Sequence, residues 1–171
     1  MTTTLSSQGL VIDLPQGWEA HIYRRRETAG AAGAAGAAGA GSGAGGANTN
    51  AVLHAANFPL PPERGDFGGG AVETMSIDHA MVVLVEYDKA SATTPLFAQH
   101  GPPTSLDAGA FRPDALQRTI PGQAGTQVFF NAGGRAFCLY VVLGNHRNVD
   151  QVLPAVNAVL RAITVTAAGP S

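Results

Sequence analysis

Residues 136–143, Ala-Phe-Cys-Leu-Tyr-Val-Val-Leu, are apolar or aromatic at every position, with no polar alternation. Successive side chains of a strand point to opposite faces, so a strand of this composition has to be covered on both sides. One cover follows directly in the chain. Val149, Val152, Leu153, Val156, Val159, Leu160 and Ile163 recur at helical spacing, which predicts an amphipathic helix laid across a sheet. Asp150 or Asn148 is placed to cap it, and Pro154 is tolerated if it falls near the first turn, where its missing N–H costs little. Residues 164–166 add a short terminal strand.

The rest of the chain supplies partners for that sheet. Residues 9–15 read as a strand with Leu10, Ile12 and Leu14 on one face, closed by the turn Pro15-Gln16-Gly17. Residues 19–25 form a second strand, His21 and Tyr23 on one side and Ile22 on the other, and the two are expected to pair as a hairpin. Residues 51–58 and, more weakly, 71–75 extend the set. In 81–87, Met81, Val83, Val85 and Tyr87 share one face and Val82, Leu84 and Glu86 the other, as a central strand requires. Residues 91–113, with four prolines and two glycines, predict a long connection over one sheet edge. Three strands follow, 116–120, 127–131 and 135–143, the last two joined by Ala132-Gly133-Gly134 as a hairpin. The expected fold class is α+β: a mostly antiparallel β-sheet covered by a C-terminal amphipathic helix.

Residues 29–47 are almost wholly alanine and glycine and offer no large apolar side chain to offset the entropy of ordering. They read as a disordered insertion loop within a single domain spanning 1–171, because the stretch before them is too short to fold alone. Hydrophobic residues make up 45% of the chain and charged residues 13%, which predicts an unusually neutral surface. A formal net charge of -2 gives no broad positive field for phosphate, so nucleic acid is not an expected partner. Nine arginines against the one lysine, Lys89, fit the codon usage of a GC-rich, actinobacterial genome. The polar residues 1–8 lack the features of a secretory signal, and no apolar run has the length of a membrane span. A cytoplasmic location is expected.

Little in the chain suggests chemistry. Cys138 is the only cysteine, its neighbours predict burial, and a buried thiol is suppressed as a nucleophile. His21, His54, His79, His100 and His146 show no spacing that would join two ligands on one helix, so neither metal nor cofactor is expected. Asp66-Phe67-Gly68 copies a kinase tripeptide without its companion motifs, and Arg64-Gly65-Asp66 copies an adhesion tripeptide. Gly68-Gly69-Gly70 reads as a bent strand, and Arg24-Arg25-Arg26 as a solvated strand end. The densest polar patch is Gln117, Arg118, Gln123, Gln127, Asn131 and Arg135, threaded between Phe111, Phe129 and Phe130. If these strands pair, the patch lines one open sheet face suited to a peptide or an anionic small molecule.

The turn Leu14-Pro15-Gln16-Gly17-Trp18 at the end of a strand, with a hairpin, a C-terminal helix and a short β tail closing the chain, resembles the Mog1/PsbP-like α/β sandwich group. That resemblance implies a binding or accessory role and carries over no functional residue. The expected function is therefore a non-catalytic accessory domain that binds another protein. Its rival is a small hydrolase or transferase using Asp66, His54 or His79, with Arg118 or Arg135 holding an anionic substrate. A small-ligand sensor, with a closed apolar cavity between helix and sheet, is a third class. Convergence of the candidate residues in one cleft favours catalysis and their dispersal favours binding.

Overall fold

The computed structural model describes residues 2–25 and 50–167; the 29–47 segment, Arg26 and the expectations attached to them lie outside the described residues. The chain opens with β1 (Thr3–Ser7), turns at Gln8-Gly9 and returns as β2 (Leu10–Leu14). Gln8 and Gly9 have φ of 54° and 72°, the left-handed pair that a two-residue hairpin turn demands. β1 carries one apolar residue, Leu5, which is why apolar patterning does not reveal it.

β3 (Glu19–Arg24), β4 (Ala51–Ala56) and β5 (Ala80–Tyr87) come next, then β6 (Ala124–Ala132) and β7 (Arg135–Leu143). The chain ends in α1 (Val149–Ala162) and β8 (Ile163–Val165). They build two wholly antiparallel sheets, β1-β2-β8 and β3-β4-β5-β7-β6, and the fold is α+β with the helix at the C-terminal end. β5 is the middle strand of the larger sheet, as its two-faced pattern demands. The β6–β7 hairpin turns at Gly133-Gly134, both with positive φ.

Three strand expectations are corrected. β2 and β3 do not pair: the turn from Pro15 to Trp18, closed by a 3.2 Å hydrogen bond from Trp18 N–H to the Pro15 carbonyl, carries the chain from one sheet into the other. The buried side of β2 then joins the core shared with α1 and the larger sheet. Residues 71–75 form a 3₁₀ turn at Val72–Thr74, because the Gly68 carbonyl takes the N–H groups of both Ala71 and Val72. Residues 116–120 are irregular because the edge of β6 is already occupied. Asn131 N–H donates to the Gln99 carbonyl, Gly101 N–H donates to the Asn131 carbonyl, and Arg112 and Gly125 exchange both main-chain bonds. The 91–113 connection thus covers this edge and leaves 116–120 no ladder to join. At the helix start, Asn148 is the N-cap residue, but its side chain donates to the Ile77 carbonyl and to Asp78 Oδ1 instead of capping. Pro154 sits in the second turn, on the solvent side.

Alternation along β7 divides the core. Phe137, Leu139, Val141 and Leu143, with Leu53, Val82 and Leu84, pack against β2 and α1. Cys138, Tyr140 and Val142, with Val52, Val83 and Val85, lie under irregular segments that contribute Phe58, Leu60, Val72 and Phe97. Full burial of each such leucine, valine or phenylalanine stabilises the fold by about 2 kcal/mol before entropy is counted. The second cover is made of loops, and loops leave gaps.

Candidate functional site

That irregular cover contains a cleft of about 1240 Å³. One wall is formed by five consecutive residues, 21–25. Alternate side chains of a strand point to opposite faces, so a cleft touching all five runs along the strand's edge. β3 is the outermost strand of its sheet, and among the described residues no strand pairs with its outer side. The facing walls come from the 62–73 segment and from Leu116, Gln117 and Arg118, with Gln123, just ahead of β6, and Tyr140 and Val142 of β7 reaching in.

A buried polar cluster holds the 61–70 segment against this edge. His54, on β4, is fully buried. Its Nδ1 accepts from Arg64 Nε–H at 2.8 Å, and its Nε2 donates to the Asp66 carbonyl at 2.7 Å. A guanidinium can only donate and a carbonyl can only accept, so the ring is neutral with its hydrogen on Nε2. Burial, the largest influence, lowers its pKa to about 4. The Asp66 carboxylate accepts from the Tyr23 hydroxyl at 3.1 Å and from Arg25 Nε at 2.7 Å. Burial, reinforced by the Asp66 charge, pushes the Tyr23 phenol above its ordinary range. Neither His54 nitrogen remains free to take a proton from a substrate, and both Asp66 oxygens are engaged. The cluster fixes the shape of a wall.

Deeper in the cleft, Gln123 is 4% exposed and donates from Nε2 to the Val72 carbonyl at 2.7 Å. The Tyr140 hydroxyl accepts from Gln117 N–H at 2.9 Å. At the surface Arg118 meets Glu73 at 3.5 Å, a solvated pair of small energetic weight.

The six polar residues predicted to share one face separate into two groups. Gln117, Arg118 and Gln123 line the cleft. Gln127, Asn131 and Arg135 do not. Gln127 pairs with Tyr140 and so shares its sheet face, but it is half-buried outside the cleft. Asn131 holds the edge connection, donating from Nδ2 to the Phe97 carbonyl and placing Oδ1 at 2.9 Å from the His100 ring. Arg135 shares the parity of Phe137 and projects to the opposite face, toward the small sheet. It is 7% exposed and bound twice to Glu86, at 2.7 and 2.8 Å. Its remaining N–H groups donate to the carbonyls of Gln8, Gly9 and Thr166. A joint Arg118–Arg135 face therefore does not form: one arginine stands on an irregular segment, and the other is a buried clamp between the sheets.

Other candidates disperse as well. His79 stacks on Phe58 with ring centres 4.8 Å apart, and its Nδ1 accepts from Ser76 N–H, away from the cleft. The Cys138 thiol is buried, and burial pushes its pKa up to about 12. Among the described residues no three His, Cys, Asp or Glu side chains group as metal ligands, and no helix is long and apolar enough to cross a membrane. Sequence reasoning missed Arg25, Arg64 and Tyr23 as cleft residues. A signal existed for Arg25: the alternation that sets His21 and Tyr23 on one side of the expected 19–25 strand assigns Arg25 to that side too. No family model, curated protein or solved structure matches the chain.

Proposed function

We propose that the chain is a non-catalytic, cytoplasmic protein-binding domain that takes an extended segment of a partner protein into the cleft along β3. The carrying observation is the position of the cleft on a sheet edge with no strand beyond it among the described residues. Unpaired main-chain donors and acceptors on such an edge are a template for an added strand, and neighbouring pockets then select its alternate side chains. Size supports the same reading. About 1240 Å³ exceeds the roughly 300–1,000 Å³ of small-molecule sites. The cleft also lies on the face away from α1, not between helix and sheet where a sensor cavity is expected. Catalysis gains little: Asp66 and Arg118 both line the cleft but pair with other residues, Arg25 and Glu73, while His54 is locked neutral and His79 and Arg135 are elsewhere. The resemblance of the Leu14-Pro15-Gln16-Gly17-Trp18 turn to the Mog1/PsbP-like group, which includes binding and accessory proteins, points the same way.

The test is selection of linear peptides from a displayed random library against the whole protein, followed by hydrogen exchange of the complex. A selected consensus that protects the amides of residues 19–25, and loses affinity with Arg118→Glu, supports the proposal. Failure to enrich any consensus, or protection confined to the opposite face, defeats it.

A further inference from the structure

We infer that the inner end of the cleft is an amide-reading subsite, in which Gln123 accepts a hydrogen bond from a ligand N–H. The inference rests on the cleft being a binding site and names the chemistry it recognises. Among the buried side-chain nitrogens and oxygens described, Gln123 Oε1 is the one that has no hydrogen-bond partner. Its identity is fixed by the other half of the amide. Nε2 lies 2.7 Å from the Val72 carbonyl, and flipping the group would set two acceptors against each other. The bond to Val72 also holds the side chain still, so its bare oxygen is pre-positioned. A buried acceptor left without a donor is costly, and folded proteins tolerate few of them.

A complementary group lines the same cleft. Tyr140 projects into it from β7, and its hydroxyl already accepts from Gln117 N–H. That bond uses a lone pair and leaves the hydroxyl hydrogen to be donated. A neutral acceptor and a neutral donor lining one cleft match a group carrying both N–H and C=O, which is an amide. An ammonium or carboxylate would satisfy one of the two and bring an unpaired charge inside. Oε1 is covered in the free protein, so engaging it requires the irregular wall around it to give slightly.

The amide can be main-chain or that of an asparagine or glutamine side chain, and small probes separate these two sources. The protein, labelled with ¹⁵N, is titrated with N-methylacetamide, which mimics the main chain, with acetamide, which mimics the side chain, and with N,N-dimethylacetamide, which has no N–H. Saturable shifts of the Gln123 side-chain NH₂ and of the Val72 and Gln117 amides are expected with one or both of the first two. They should be at least about fivefold weaker with the third, the ratio expected when a buried acceptor is left unmet. N-methylacetamide acting more strongly assigns the site to a main-chain amide, and acetamide to a side-chain amide. In Gln123→Met the discrimination should vanish. Equal shifts from all three probes, or none from either N–H donor, overturn the inference, and this comparison on the wild-type protein stands even if the variant does not fold. A failed library selection with positive probe titrations would reject the edge-strand partner and keep the subsite; the converse would keep the partner and reject the subsite.

Discussion

Replacing Arg135 by alanine should cost stability and not ligand affinity. Its guanidinium is paired with a Glu86 side chain that is 13% exposed, and it also bonds three carbonyls at one end of the small sheet, where the Gln8-Gly9 turn meets Thr166. Truncation leaves Glu86 buried without its cation, although Glu86 Oε2 still accepts from Ala51 N–H at 2.8 Å. Removing one partner of a buried pair costs about 3–5 kcal/mol. For a chain of this size each kcal/mol moves the melting temperature by about 2–4 °C, so a fall of roughly 6–20 °C is expected. Thermal melting followed by far-UV circular dichroism, with urea titration as a second measure, reads it. The double variant Arg135→Met, Glu86→Gln removes both charges and keeps most of the volume, so it should recover at least half of the loss. An Arg135→Ala melting temperature within about 2 °C of wild type would refute the clamp. Weakened peptide binding without a stability loss would return Arg135 to the binding face.

Lowering the pH should destabilise the protein through His54. Its folded pKa of about 4 lies below the unfolded value near 6.5, so between these values the unfolded chain binds a proton that the folded one refuses. Stability from this group is fully present above about pH 6.5 and falls by up to about 3 kcal/mol on the way to pH 4. Urea midpoints across that range check it, and His54→Gln should flatten the slope; an unchanged slope in the variant counts against the assignment. Cys138 should resist a thiol reagent at pH 8 in the native state and react on unfolding, since its pKa is pushed up to about 12; prompt native labelling would contradict its burial. Asn157 clasps Leu106, accepting its N–H at 2.8 Å and donating to its carbonyl at 3.1 Å. Asn157→Ala should cost about 1–3 kcal/mol and speed amide exchange at Leu106, measured by NMR.

By itself the sequence determined what burial patterns determine. The apolar run of β7, the two-faced pattern of β5 and the helical stripe from Val149 to Ile163 each required a covered sheet with a helix on it, and the chain folds so. Those patterns report which residues leave water, because apolar area is an additive property of each segment. Tertiary structure alone decided which strands pair and which polar groups meet. β1, with Leu5 as its only apolar residue, found its partner through the Gln8-Gly9 turn, and residues 116–120 lost a strand's place to a connection already lying on β6. The candidate site shows the same division. Gln117, Arg118 and Gln123 were visible as polar residues, but the separation of Arg135 from them depends on strand parity. The joining of Tyr23, Arg25, His54, Arg64 and Asp66 depends on contacts up to 43 residues apart in the chain. Hydrogen bonds are directional and short in range, so the bonds these groups make depend on a geometry that exists only once the sheet has formed.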